Sequence, residues 1–251
     1  MGSSLRKSLN LLIILSDYAK PEGLSIKELS NLSQMPPSTV HRFLQVFKEF
    51  DLVAQDLVSK NYMLGSKLLK LGMQVRGSVD LRKVAIPILE KLAKSTGEDS
   101  YLTILSGNNG VFIEKVEGSH SAKIIENFGT EVPLHCGANR LALLSFQDDK
   151  FIENFLSSEL KSYTDQTITD PEKLKVEIRK IREQGYAISY GGYVKYGCGI
   201  AAPVRDAYGQ VISSLGIIGF ENRFSADKIA KMTKEVKKAA KNLSNKLGYF
   251  D

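Results

Sequence analysis

Ser38, Thr39, His41, Arg42 and Gln45 crowd into the stretch "MPPSTVHRFLQVF", residues 35–47. At 100° per residue, Val40, Phe43, Leu44 and Phe47 share one side of a helix, and Ser38, Arg42, Gln45 and Glu49 fall opposite. Such an outward face suits base edges: Arg grips guanine O6 and N7 with two N–H groups, and Gln does the same for adenine N6 and N7. The plain alternative is a surface helix whose polar residues are solvated. A second candidate set is His135, Cys136 and Cys198. Zinc prefers four ligands in a closed site, and His41 and His120 are the only other histidines, so we expect no metal centre. Two cysteines are also too few for a disulfide framework. No Gly-rich phosphate loop, H-E-x-x-H or G-x-S-x-G motif occurs, and we expect no catalytic residue and no cofactor.

The elements that must position the first set can be read on either side of it. Pro36 or Pro37 fits the first turn of a helix, where a missing N–H costs nothing. Ahead of it, Ser25 and Glu28 form a capping box for a short helix carrying Leu29 and Leu32. A first helix places Leu5, Leu9, Leu12 and Ile13 on one face. After it, "LVAQDLVSKNYMLG" alternates around a four-residue, polar-tipped turn, a hairpin from Leu52 to Leu64 with Lys60 near its tip. Three helices and a hairpin make a winged helix-turn-helix, with Lys60 and Asn61 placed to reach phosphate or the minor groove.

Charge supports that reading. The 251 residues carry a net +6. Up to Val79 there are ten Lys and Arg against six Asp and Glu, a +4 excess, which leaves +2 for the other 172 residues. Such an excess favours an anionic partner. No run of eighteen apolar residues occurs, and polar residues interrupt the N-terminal apolar run too early for a signal peptide, so a cytoplasmic protein is expected. Gly2 lacks the Ser or Thr that myristoylation wants at the position of Arg6.

Beyond the hairpin, Ser66 to about Val75 reads as a linker helix, and a boundary falls near Ser78. The expected layout is thus a DNA-binding domain over 1–65, a linker over 66–78 and a second domain over 79–251. That domain opens on a helix presenting Leu81, Val84, Ala85, Ile88, Leu89 and Leu92 up to a Gly97 cap. "SYLTILS" and "VFIEKVE" make a hairpin, "SAKIIENF" a third strand, and a helix starts at Pro133. Asp170 and Pro171 open another helix. Strands in "YAISY", "GIAAPVRD" and "QVISSLGIIGF" lead to a long last helix from Ser225, whose basic run reads as a solvated face. Helices mixed with antiparallel strands mean an α+β domain.

"SLRKSLNLLIIL", "GLSIKELSNLSQMPPSTVHRFLQVF" and "NYMLGSKLLKLG" together resemble the DNA-binding domain of the IclR family of bacterial transcriptional regulators. The turn carries Gln34 where that family usually has Gly, and Pro37 where it commonly has Lys or another polar residue. The resemblance continues through "GTEVPLH", "IREQGYAIS", "GIAAPVRDAYGQVISSLGIIG" and "LSNKLG", which look like the family's GAF-like effector-binding domain. It implies a ligand held between the sheet and the loop around Gly129, with Gly129, Cys136, Gly137 and Ala138 along one wall. Ser189, Tyr190, Gly199, Ser214 and Gly216 would line the other. Tight turns are the competing role for Gly129, Gly137 and Gly199. Arg140 and Leu141 stand where the family has Gly-Lys. A pocket of backbone N–H groups at a helix start, with Ser, Tyr and Lys195 nearby, suits a small carboxylate: a sugar acid, keto acid or aromatic acid.

The expectation is therefore a ligand-responsive regulator of a bacterial catabolic operon, binding a palindromic operator in double-stranded DNA. Repression is the expected role, with release and recruitment by the ligand both open. The resemblance implies a homodimer through the first and linker helices, and a homotetramer through the effector domains. The alternative is a GAF-like thiol enzyme of the methionine sulfoxide reductase kind, since a thiol at a helix start can have a lowered pKa. That alternative leaves the N-terminal domain without a role.

Overall fold

The computed structural model describes residues 2–76, 80–125 and 129–250. The chain divides into two compact units, Met1–Val79 and Asp80–Asp251. The expected boundary at Ser78 lies outside the described residues.

The first unit contains α1 (Gly2–Asp17), α2 (Ile26–Ser33), α3 (Pro37–Glu49), the strands β1 (Val53–Gln55) and β2 (Tyr62–Leu64), and α4 (Ser66–Arg76). Its core gathers Leu11, Ile14 and Leu15 of α1 with Leu24, Leu29, Val40, Leu44, Phe47, Val53 and Tyr62. The face of α1 that periodicity singled out is not the core face. Leu5, Leu9 and Ile13 are 63%, 49% and 55% exposed, and Leu12 is half-buried. The helix is apolar on two sides, and a 3.6-residue pattern cannot tell which side meets α2 and α3. Leu24 and Tyr62 exchange backbone hydrogen bonds of 2.8 Å each way, which pins β2 to the chain just ahead of α2.

The second unit follows with α5 (Leu81–Thr96), β3 (Asp99–Ser106), β4 (Asn109–Val116), β5 (Glu131–Pro133), α6 (Ala138–Leu144), α7 (Asp149–Leu156) and α8 (Pro171–Gln184). It ends in β6 (Ala187–Tyr190), β7 (Gly197–Arg205), β8 (Val211–Phe220), a 3-10 turn (Glu221–Arg223) and α9 (Ala226–Lys246). The sheet is antiparallel throughout, in the order β5-β4-β3-β8-β7-β6. Alternation along β7 sorts its two faces: Ile200, Ala202 and Val204 pack with α5 and α9, whereas Ala201 packs with α6, α7 and α8. The molecule is thus an N-terminal helix-turn-helix unit followed by an α+β unit.

Two expectations for this unit are corrected. Pro133 does not open a helix; it closes β5, paired with Asn109, and Gly137 at φ +77 delays α6 to Ala138. The described part of "SAKIIENF", 121–125, forms no strand; β5 is the sheet edge instead. No helix among the described residues is long and apolar enough to cross a membrane.

Candidate nucleic-acid interface and ligand cavity

The turn between α2 and α3 is built from side chains. Ser25 caps α2, its hydroxyl accepting from Glu28 N at 3.3 Å, while the Glu28 carboxylate accepts from Ser25 N at 2.8 Å. Gln34 closes α2 in the left-handed conformation, φ +54, where a glycine would be at no cost. Ser30 Oγ donates to Met35 O at 2.6 Å, and Met35 itself is buried. Pro36 then occupies the cap position of α3 and Pro37 its first turn, with Pro36 O accepting from Thr39 N and Val40 N.

Val40, Leu44 and Phe47 bury the inner side of α3. Ser38, His41 and Arg42 are exposed, and Thr39 and Gln45 are half-buried. His41 Nε2 and Gln45 Nε2 are 3.1 Å apart, one turn from each other, and the Arg42 guanidinium lies 5.7 Å from the Phe43 ring. The helix therefore brings five of the seven candidate DNA contacts onto one rod.

The other two sit on the wing. Lys60 is exposed at φ +62. Asn61 is half-buried, and its amide donates to Glu22 O at 3.1 Å, so it braces the hairpin against the loop before α2. Six residues, Asp56–Asn61, join the strands. Contrary to the polar tip expected, Leu57 and Val58 stand at the end of the loop, 83% and 91% exposed.

In the α+β unit, a chamber of about 30 Å³ lies between the sheet and α6. It is walled by Gly137, Ala138, Ser189 and Gly199 from the expected set, and by Phe112, Ile124, Asn139, Arg140, Gly192, Tyr193, Val194, Gly197, Cys198 and Ile218. A larger cavity of about 420 Å³ shares Arg140, Tyr193 and Val194 with it and adds Ile125, Thr130, Val132, Tyr163, Thr164 and Lys195. Ligand sites commonly have the size of the larger one.

Arg140 stands at the junction. It is buried, its guanidinium 4.5 Å from the Phe112 ring centre and 4.9 Å from that of Tyr193, and Nη1 donates to Cys136 O at 3.5 Å. Among the described residues, Arg140 is the one charged residue in the wall of the inner chamber. Gly110 makes room for it, since a Cβ there would sit 2.7 Å from Arg140 Cγ. Tyr163 and Tyr193 pack with ring centres 5.1 Å apart in the outer cavity.

Five expected lining residues are not in these walls, and the reasons are structural. Strand alternation puts Ser189 on the α6 side of β6 and turns Tyr190 away, half exposed. The Ser214 hydroxyl donates to Asn139 O at 2.7 Å, and a Cβ at Gly216 would approach Asn139 Oδ1 to 2.8 Å. Both residues therefore seat α6 on β8. Asn139 Nδ2 completes this seat through Thr103 Oγ1 at 3.1 Å. Cys136 is buried one residue before the α6 cap, and its N–H donates to Pro133 O at 3.1 Å. Gly129 is at φ +74 with open space where a Cβ would be; its N–H donates to Phe112 O at 3.2 Å.

Neither cysteine is in a disulfide, and both are buried. Burial first, then the charges of Glu221 and Glu98, push the Cys198 thiol up to about 12, so it is protonated at neutral pH and a poor nucleophile. Burial also lowers the pKa of His135, whose Nε2 lies 3.0 Å from Lys161 O. Among the described residues, no three His, Cys, Asp or Glu side chains come together as a metal site.

The sequence matches two family models: the IclR helix-turn-helix domain over residues 4–57 and the bacterial transcriptional regulator IclR C-terminal domain over residues 73–245. It is 35% identical over 237 residues to the HTH-type transcriptional regulator KipR of Bacillus subtilis, covering 94% of each chain. The fold is similar to that of an IclR regulator from Silicibacter sp. TM1040, with a TM-score of 0.88, 24% identity, and 97% and 96% of the two chains covered. It is also similar to an IclR homologue from Microbacterium hydrocarbonoxydans solved with 4-hydroxybenzoate, with a TM-score of 0.62, 22% identity, and 96% and 98% covered. These families and relatives are transcriptional regulators, not enzymes. With a DNA-binding helix-turn-helix unit and a C-terminal unit each matching along most of its length, the chain belongs to the IclR family of bacterial transcriptional regulators.

Proposed function

We propose that the protein is a cytoplasmic, ligand-responsive regulator of a catabolic operon that represses by binding a palindromic operator and senses a small carboxylate. The observation that carries the DNA half is α3: its apolar side is locked into the core, and Ser38, Thr39, His41, Arg42 and Gln45 are left along the other. Lys60 and Asn61 extend that surface on the wing. The exposed stripe of Leu5, Leu9 and Ile13 on α1 supports a homodimer, which would offer two recognition helices to two half-sites; a homotetramer would add a second such pair.

For the ligand half, Arg140 supplies positive charge where the two cavities share a wall, and aromatic rings line both. A carboxylate meeting Arg140 with an organic body in the larger cavity fits this chemistry. The 4-hydroxybenzoate held by the Microbacterium hydrocarbonoxydans homologue belongs to that class. Gly137, Ala138, Ser189 and Gly199 line the inner chamber. Gly129, Cys136, Tyr190, Ser214 and Gly216 act from behind it or beside it.

Two measurements test the reading. Selection from random duplexes should return an inverted repeat; recovery of no repeat would remove the DNA half. A thermal-shift panel of sugar, keto and aromatic acids should give one class that stabilises the chain, by about 2.7 kcal/mol at 100 times its dissociation constant. No response to any acid, or an unchanged response after Arg140→Met, would remove the ligand half.

A further inference from the structure

The wing tip has a chemistry that phosphate contacts do not explain. Leu57 and Val58 are among the most exposed large apolar residues described, yet they sit on a braced loop. Asp56 Oδ1 accepts from Val58 N at 3.1 Å, Ser59 N at 2.7 Å and Ser59 Oγ at 2.8 Å, and Lys60 N donates to Asp56 O at 3.1 Å. These bonds close the turn through Asp56, Ser59 and the backbone. The Leu57 and Val58 side chains contribute nothing to it, and polar residues would serve the turn equally well.

The loop is also tied to the recognition helix. Lys48, in the last turn of α3, donates to Gln55 Oε1 at 3.1 Å, and Gln55 Nε2 donates to Lys60 O at 3.0 Å. The apolar tip is therefore held at a fixed place beside α3, flanked by two lysines. An aliphatic tip with a cationic rim, continuous with a DNA-reading helix, matches the minor groove: phosphates along its edges, and a floor about 6 Å wide that apolar side chains can enter and wedge open.

We propose that Leu57 and Val58 are a minor-groove wedge, inserted beside the base pairs that α3 reads, so that part of operator choice rests on how easily the DNA opens there. This rests on the DNA-binding reading above. Pyrimidine–purine steps such as TA unstack most readily and are the expected preference at the wedge position.

The test uses the full chain and its selected operator, with affinity and DNA bending measured for wild type, for Leu57→Ser with Val58→Ser, and for Leu57→Met with Val58→Ile. The serine pair should bind about tenfold more weakly, and its preference for TA over a G·C step at the flanking position should vanish. The bend should fall by about 20° or more. The Met/Ile pair should keep all three properties. If the serine pair bends and discriminates like wild type, the wedge is wrong while DNA binding stands. A change in sedimentation with unchanged bending would assign the tip to a second copy of the chain and also overturn it. Failure of the wild type to select any duplex would overturn the wedge together with the reading beneath it.

Discussion

Arg42 and Lys60 are both exposed cations of the first unit, but their removal should read differently. If Arg42 meets a base edge, Arg42→Ala should cost about 1–3 kcal/mol and relax preference at one base pair. Lys60→Ala should weaken binding to every duplex and lower the salt slope by about one. Affinities measured across salt and across single-base operator variants separate the two; equal behaviour of both variants would remove these assignments. The outward residues of α3 were legible because one local period fixes them: once Val40, Leu44 and Phe47 face the core, Ser38 and Arg42 must face away. Arg140 was not legible as a cavity residue. Its burial depends on Gly110 on β4 and on two rings distant in sequence, Phe112 and Tyr193, and no local pattern brings these together. Ser214 and Gly216 came with the family resemblance as lining residues, and what they meet in the structure is Asn139.

At the scale of elements, the capping box of α2 should make the helix-turn-helix sensitive to acid. The Lys20 ammonium, 2.7 Å from Glu28 Oε1, together with the Ser25 N–H and hydroxyl, lowers the Glu28 carboxyl from 4.5 to about 2. Because the folded value is the lower one, the cap's contribution is complete above 4.5 and is lost as pH falls towards 2. The wild type should melt higher than Glu28→Gln at neutral pH, and that gap should shrink between pH 4.5 and 2. A gap independent of pH would show that Glu28 acts only by shape. Capping residues are readable because the box is a four-residue pattern. The start of α6 was misread for the opposite reason. Pro133 looks like a first-turn proline, and only strand pairing with Asn109 and the positive φ of Gly137 show that the helix waits until Ala138.

For the whole molecule, the feature with the widest reach is the second apolar side of α1. Leu5, Leu9 and Ile13 recur at i, i+4 and i+8 outside the core. Replacing Leu9 and Ile13 by Lys should leave the fold intact, because neither belongs to the core, and should shift the chain to monomers in sedimentation. Operator affinity should fall by at least about tenfold, as two half-sites are then no longer engaged together. Persistence of the dimer would place the self-association surface elsewhere. The sequence showed that α1 is apolar but not that it is apolar twice over, because the pattern of one helix is silent about how many neighbours it has. If that stripe joins two copies, promoter occupancy will not rise in simple proportion to the amount of protein. Below the dimer dissociation constant, and while the operator is far from saturated, it climbs as the square of chain concentration, so a twofold dilution by growth without new synthesis would lower occupancy about fourfold, before any metabolite is involved.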